Sequence, residues 1–276
     1  MEGISFFHSR GGSGYIRGVQ MAKYLGAKDN PTGGYENDLC IYTKILPPEV
    51  HPENVWADVD DSFKQYWFLR THPEFKVIAI SETAKDFLSE ALNRDDIVCI
   101  PHQHCNFERR VRPPREVKVV GIIGTETSFQ FPKDEFRKML EPLGLELRYD
   151  QDYWNTYKTN HHQEMRLNVA DFYYEMDVQV VWRPSHRFPS LLPFANPNKM
   201  GNSASFGIPT IAFPEKSYVR EFEGCFLPAG SIAEMVDWLR RLKNDPLLYY
   251  SLSKKNLERS EFYHIDNISK LYKNLK

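Results

Sequence analysis

Cysteine is scarce: four residues in 276, Cys40, Cys99, Cys105 and Cys225, no two of them at CxxC spacing. That scatter excludes a disulfide framework and a structural zinc knuckle, and it fits a reducing compartment. Long apolar runs are lacking as well. No window approaches the roughly 20 apolar residues of a membrane span. The opening MEGISFFHSRGG has no basic stretch leading into an apolar one, as a secretory leader would. The expectation is a cytoplasmic protein without a membrane span. An excess of one charge is absent too, with 35 Lys and Arg against 37 Asp and Glu. Such a chain does not coat nucleic acid through bulk electrostatics, although a local basic groove stays open to it.

What the chain does have is aromatic side chains, 14% of residues, enough both to fill cores and to line sugar or base pockets. Apolar periodicity predicts strands over 4–7, 39–42, 55–57, 76–80 and 97–100, with helices over 15–25 and 82–92. A stretch rich in Arg and Pro, HQHCNFERRVRPPRE, follows at 102–116. Beyond it the alternation restarts, with strands over 117–123, 145–148, 178–182, 210–213 and 225–227. Helices are predicted over 133–140, 163–176, 199–206, 231–242 and 245–274. Strands alternating with helices on both sides of a hinge predict an α/β protein of two Rossmann-like, doubly wound domains. Ligands of such folds bind at the carboxyl ends of the strands, so the residues just after each strand carry the candidates.

GGSGYIRG follows the first strand and places Gly12, Gly14 and Gly18 in a loose G-x-G-x-x-x-G pattern. It has two readings: a dinucleotide site, or close packing of helix on sheet. The second strand runs into Thr43-Lys44 rather than the acid a dinucleotide ribose needs. Asp58 and Asp60 form a D-x-D, open to a divalent metal or to a metal-free role of Asp60 or Asp61 at a cleft. His102-x-His104 with Cys105 lacks a fourth ligand at zinc spacing, and no metal site is assigned. His8, directly after the first strand, is either a general base or a cap on the strand end. Arg183 follows a strand and Lys199 opens a short helix, a combination suited to a diphosphate, with Asn202 one turn on for ribose hydroxyls.

Taken together, GGSGYIRGVQMAKYLGA, VIAISETAKDFL, DIVCIPHQHCNFERRVRPP, VKVVGIIGT, VADFYYEMDVQVVWRPS and NPNKMGNSASFGIPTIAF resemble a GT-B glycosyltransferase. The resemblance is to the retaining, family-4-like kind (glycosyl transferases group 1), here with a short N-terminal domain. It implies an acceptor-side domain over 1–105, on which a last helix at about 262–276 packs back, and a nucleotide-sugar domain over 106–261, the two facing a cleft. Lys199 and Arg183 would then hold the donor diphosphate, with Gly124 and Thr125 beside phosphate and sugar. Asn202 and Ser203 would lie on the ribose side, Gly12 and Ser13 in the first loop, and Glu221 or Glu223 just past the donor loop. The family's paired glutamates fall here on Phe194 and Asn202, so the sugar-side carboxylate is missing.

The implied reaction moves a sugar from a UDP- or GDP-linked donor to an acceptor hydroxyl, with no further cofactor and no metal. If configuration is retained, the donor phosphate can take the acceptor proton. If it inverts, Asp60, Asp61, His8 and His102 are the candidate bases. A saccharide or lipid-linked saccharide is the default acceptor. Arg109, Arg110, Arg112 and Arg115 also admit DNA carrying a modified base. The alternatives are a non-catalytic nucleotide-sugar-binding subunit and a dinucleotide-dependent oxidoreductase.

Overall fold

The computed structural model describes residues 3–9, 11–49, 53–113, 115–124, 128–150, 162–185, 194 and 196–275. The chain divides into two compact units. One comprises Met1–Gln103, Ser190–Asn196 and Tyr263–Lys276, the other His104–Pro189 and Pro197–Phe262.

The first unit is built on a parallel sheet of β1 (Ile4–His8), β2 (Lys28–Asp29), β3 (Leu39–Thr43), β4 (Val55–Asp58), β5 (Lys76–Ala79) and β6 (Val98–Cys99). Its strand order is β2-β1-β3-β4-β5-β6. Every residue of β3 and β4 is buried, as expected of strands covered on both faces. His8 pairs with Thr43, and Thr43 with Asp58, so three strands end side by side. The helices behind the strands start on serine caps: Ser62 accepts from Gln65 N, and Ser81 from Ala84 N.

Between β1 and β2 the glycine-rich segment forms a π-helical turn, Gly14–Gln20, continued by the helix Met21–Leu25. Its glycines have steric reasons. A Cβ on Gly14 would stand 1.9 Å from the Ser9 carbonyl oxygen, and one on Gly18 would stand 2.1 Å from the His8 ring. The turn therefore lies directly on the end of β1. From it Arg17, fully buried, sends Nε and Nη2 to the Asp58 carboxylate at 2.6 and 2.8 Å. Nη1 donates to the Ile100 carbonyl at 2.8 Å.

The helix read over 245–274 is in fact two, Pro246–Ser260 and Ile265–Lys273, separated by a 3-10 turn. His264 stands extended between them, and its ring accepts from Asp266 N, starting a new helix where the apolar pattern alone runs on. The last helix packs in the first unit, with Tyr272 edge-on to Phe6 at 5.4 Å. Phe194, which the sequence groups with the second domain, also packs in the first unit, 5.3 Å from Phe87. The helix Phe63–Leu69 escapes a periodicity reading because FKQYWFL is aromatic on several faces at once.

The second unit holds a parallel sheet of β7 (Val119–Ile122), β8 (Glu146–Tyr149), β9 (Val178–Val181), β10 (Thr210–Ala212) and β11 (Leu227–Pro228). Its order is β11-β10-β9-β7-β8. Counted from its own first strand, each sheet reads second, first, third, fourth, fifth, and the first sheet adds a sixth. The winding therefore reverses between β1 and β3 in one unit and between β7 and β9 in the other. Those reversals open the crevices in which doubly wound folds take ligands.

Asp58→Ala is expected to leave the Arg17 guanidinium buried without its counter-charge, a loss of about 3–5 kcal/mol. Hydrogen exchange of the β3 and β4 amides measures it, and the β7 to β9 amides should keep their protection.

Candidate functional site

At the reversal in the second unit, β7 runs out into Ile123-Gly124 and β9 into Trp182-Arg183. Gly124 has φ +110, and a Cβ there would come within 2.6 Å of Ser128 Oγ and 2.7 Å of Lys199 Nζ. Its N–H donates to Asp150 Oδ2 at 3.0 Å. Lys199, on the first turn of the helix Asn198–Ser205, thus holds its ammonium against the glycine backbone. Burial, with Arg183 close by, pulls that ammonium down to about 8, while Asp150 and Glu215 oppose the fall. Arg183 donates through Nε to Glu215 Oε1 at 2.9 Å, and its second bond completes a fork onto the same carboxylate. Lys133 opens the helix after β7 and sets its ammonium 3.7 Å from the Tyr149 ring centroid.

Lys199 and Arg183 thus stand together at the carboxyl ends of β7 and β9, and Lys133 lies over Tyr149 at the end of β8. Asp150 and Glu215 are buried among them. Such an arrangement can hold a phosphorylated ligand through fixed cations and close backbone approach.

Several predicted residues are occupied elsewhere. Asn202 Oδ1 accepts from Cys105 N at 2.8 Å, and Ser203 Oγ sits 2.7 Å from Thr210 Oγ1 while donating to backbone within its helix. Both are buried. Glu221 ends the helix Lys216–Glu221, its carbonyl accepting from Arg259, and Glu223 is exposed. Thr125 lies outside the described residues. Glu215, Asp150 and Lys133 went unread, although each stands after a strand of the second sheet: Glu215 past β10, Asp150 past β8, Lys133 at the next helix start.

In the first unit, His102 Nε2 meets Asp60 Oδ1 at 3.3 Å, and Lys44 Nζ lies 3.6 Å from Asp60 Oδ2 while also pairing with Asp61. Burial alone would raise the Asp60 carboxyl, but the bond and charge of His102, then Lys44 and Arg17, hold it well below the usual range. Asp58 is spent on Arg17, so the D-x-D is not a chelate. Among the described residues no group of three or more His, Cys, Asp or Glu is placed for a metal. His8 stands apart, its ring nitrogens engaged by Asp29 Oδ1 at 2.9 Å and the Ser9 carbonyl at 3.1 Å.

Gly12 adopts φ +52 at the entry of the π-helical turn, next to Ser13, whose side chain makes no cap bond. The amides of Gly14, Tyr15 and Ile16 already donate to the carbonyls of Gly11 and Gly12. With Gly14 and Gly18 accounted for by contact with Ser9 and His8, the glycine pattern is one of close packing, which takes away the dinucleotide reading's main support.

The basic run changes meaning. Arg109 pairs with Glu261, Arg110 with Asp171, and both Arg112 and Arg115 with the buried Asp177. Asp177 also accepts from the amides of Lys118 and Val119. These arginines are bound to the second unit's own acids, which removes the basis for a DNA acceptor.

Among solved structures, the chain superposes on Anabaena HepE in complex with UDP and glucose with TM-score 0.58 and 12% identity, over 98% of this chain and 97% of that one. A glycosyltransferase from Rickettsia africae gives TM-score 0.54 and 13% identity, over 98% and 88%. The GtfA/B complex gives TM-score 0.55 and 15% identity, over 87% of this chain and 53% of that one. The chain thus spans about half the length of the GtfA/B chain. These likenesses are of fold: two doubly wound units, as in GT-B glycosyltransferases. No protein-family model and no curated protein sequence matches the chain. Among the described residues no helix is long and apolar enough to cross a membrane.

Gly124→Ala adds a Cβ against Ser128 Oγ and Lys199 Nζ at a backbone angle that side chains resist. It is expected to cost about 1–3 kcal/mol, read by chemical denaturation, and to shift the Lys199 NMR resonances.

Proposed function

We propose that the chain is a glycosyltransferase that binds a nucleotide-diphosphate sugar, UDP-linked in the first instance, in the second unit and transfers the sugar to a saccharide hydroxyl. The observation that carries this reading is Lys199 held against Gly124 at the β7–β9 reversal, with Arg183 beside it. When the glycosidic bond of the donor breaks, negative charge grows on the diphosphate. Fixed, partly buried cations offset that charge with little reorganisation, and they do so without a metal. The shared fold of Anabaena HepE, crystallised with UDP and glucose, supports the same assignment.

Retention of configuration is part of the proposal, on the family-4-like resemblance. The acceptor oxygen bonds to the anomeric carbon as the bond to the diphosphate breaks, and the acceptor proton passes to a donor phosphate oxygen. Saccharide and lipid-linked saccharide acceptors both suit this reaction. The non-catalytic alternative draws on Phe194, an apolar residue where the family carries a glutamate. Slow release of UDP from a UDP-sugar by the isolated chain separates the two, since only an enzyme turns the donor over.

Calorimetric titration with UDP and GDP tests the donor site. Lys199→Met is expected to weaken UDP binding by about 10–100-fold, the loss of one charge-assisted contact. Lys199 is cationic below about 8 and loses its proton above it. UDP affinity should therefore hold at lower pH and fall by up to about tenfold per pH unit above that point. The Met variant should lose this slope. A wild-type chain that binds neither UDP nor GDP would overturn the reading.

A further inference from the structure

The helix that carries Lys199 is poorly equipped to hold itself. Its sequence, NKMGNSAS, includes a glycine, asparagines and serines, all weak helix formers. Pro197 at its start makes no side-chain cap bond. A helix this short takes its place from what it packs on rather than from its own propensity. Lysine adds to the difficulty, since its charge rides on a flexible stem. Where the ammonium rests depends on where the first turn is held.

Beneath that turn the sheet is polar where an apolar contact is expected. β9 reads Val-Gln-Val-Val, and Gln179 within it is fully buried. Its register partner on β10 is Thr210, also buried. Gln179 Nε2 donates to the Lys199 carbonyl and to Thr210 Oγ1, each at 3.3 Å. A carbonyl can only accept, so it is the nitrogen of the amide that faces Lys199. Thr210 Oγ1, having accepted from Gln179, donates to Ser203 Oγ at 2.7 Å. Ser203 Oγ passes its own proton back along the helix, to the Lys199 carbonyl at 3.1 Å or that of Met200 at 3.2 Å. The donors thus run one way, and a short and a longer arm both end on the Lys199 turn. Gln179 Oε1 meets no donor among the described residues. An apolar side chain at 179 would bury no unfilled acceptor, so stability alone does not account for the glutamine.

We propose that Gln179 is a positioning residue of the donor site: with Thr210 and Ser203 it braces the first turn of the helix Asn198–Ser205, so that the Lys199 ammonium lies against Gly124. This role rests on the transferase reading, in which Lys199 meets the donor diphosphate. Gln179 acts through Lys199 and does not itself touch the ligand.

NMR of the full chain with isotope-labelled lysines tests the brace without any ligand, the Lys199 signal being identified by its loss in Lys199→Met. In the unaltered chain that signal should titrate at about 8. Gln179→Met nearly keeps the side chain's length but donates nothing, and it should raise the midpoint by about one pH unit as the ammonium gains water. Arg183, Asp150 and Glu215, the charged groups around Lys199, are unaltered in this variant. Thr210→Val, which breaks only the longer arm, should shift the midpoint the same way by less. Calorimetric titration with UDP gives a second readout. At neutral pH Gln179→Met should weaken UDP about fivefold. Added to Lys199→Met it should weaken UDP no further, because both changes act through one contact.

A merely structural glutamine would leave the Lys199 midpoint where it is, and its effect on UDP would add to that of Lys199→Met. The proposal is overturned if neither variant moves the midpoint, or if the two UDP losses simply add. Should Gln179→Met not fold, an unmoved midpoint in Thr210→Val overturns it equally. A chain that binds neither UDP nor GDP while Gln179→Met still shifts the Lys199 signal would instead overturn the transferase reading alone.

Discussion

A fully buried guanidinium bound to a fully buried carboxylate organises the first unit. Neither Arg17 nor Asp58 reaches solvent, and a charge in that position is tolerated only when its hydrogen bonds are filled. The filling draws in most of the surroundings. Thr43 donates to Asp58 from β3, Tyr272 from the last helix stands 3.5 Å from the same oxygen, and Ile100 supplies a carbonyl to Arg17 from the exit of β6. One ion pair thus joins the glycine-rich turn, three strand ends and the last helix. It also explains why that turn must press onto β1, where only glycine fits at positions 14 and 18. With the strand ends set at one height, Lys44, Asp60 and His102 come together as neighbours.

The second unit shows the same rule at both ends of its sheet, with different outcomes. On the side where β7 begins, Asp177 is saturated by two backbone amides and two arginines, and the result is structural. On the side where the strands end, Lys199 is partly buried beside a second cation, and its ammonium is pulled down to about 8. That contrast, more than the number of charges, separates the two ends of the sheet.

Much of this is legible in the amino-acid sequence itself. Runs such as KVIAI and VKVVGII announce buried parallel strands, and the cations Arg183 and Lys199 stand where a crevice opens. Other features were not legible, for physical reasons. Asn202 and Ser203 sit at helical spacing from Lys199, but spacing does not say that Asn202 Oδ1 accepts from Cys105 N or that Ser203 Oγ bonds Thr210 and the helix backbone. Arg109 to Arg115 look like a free basic run until the distant acids that neutralise them are known. Glu215, Asp150 and Lys133 follow the same strand-end logic that located Arg183, yet each lies in a segment dominated by a proline or an aromatic neighbour. His264 ends one helix and starts another through a cap that apolar periodicity does not register.

The two sheets share one winding but differ in what their strand ends carry. In the second unit the ends bring Arg183 and Lys199 against Asp150 and Glu215, with Lys133 over the Tyr149 ring. In the first they bring Asp60 and Asp61 against Lys44, with Asp58 and Arg17 cancelling each other. A diphosphate placed at the first set would meet carboxylates in a low-dielectric setting, whereas at the second it meets ammonium and guanidinium groups. A neutral polyol has the opposite preference, since it needs acceptors for its hydroxyl protons and gains nothing from an excess of cations. Two copies of one topology thus carry different charge at the ends of their strands.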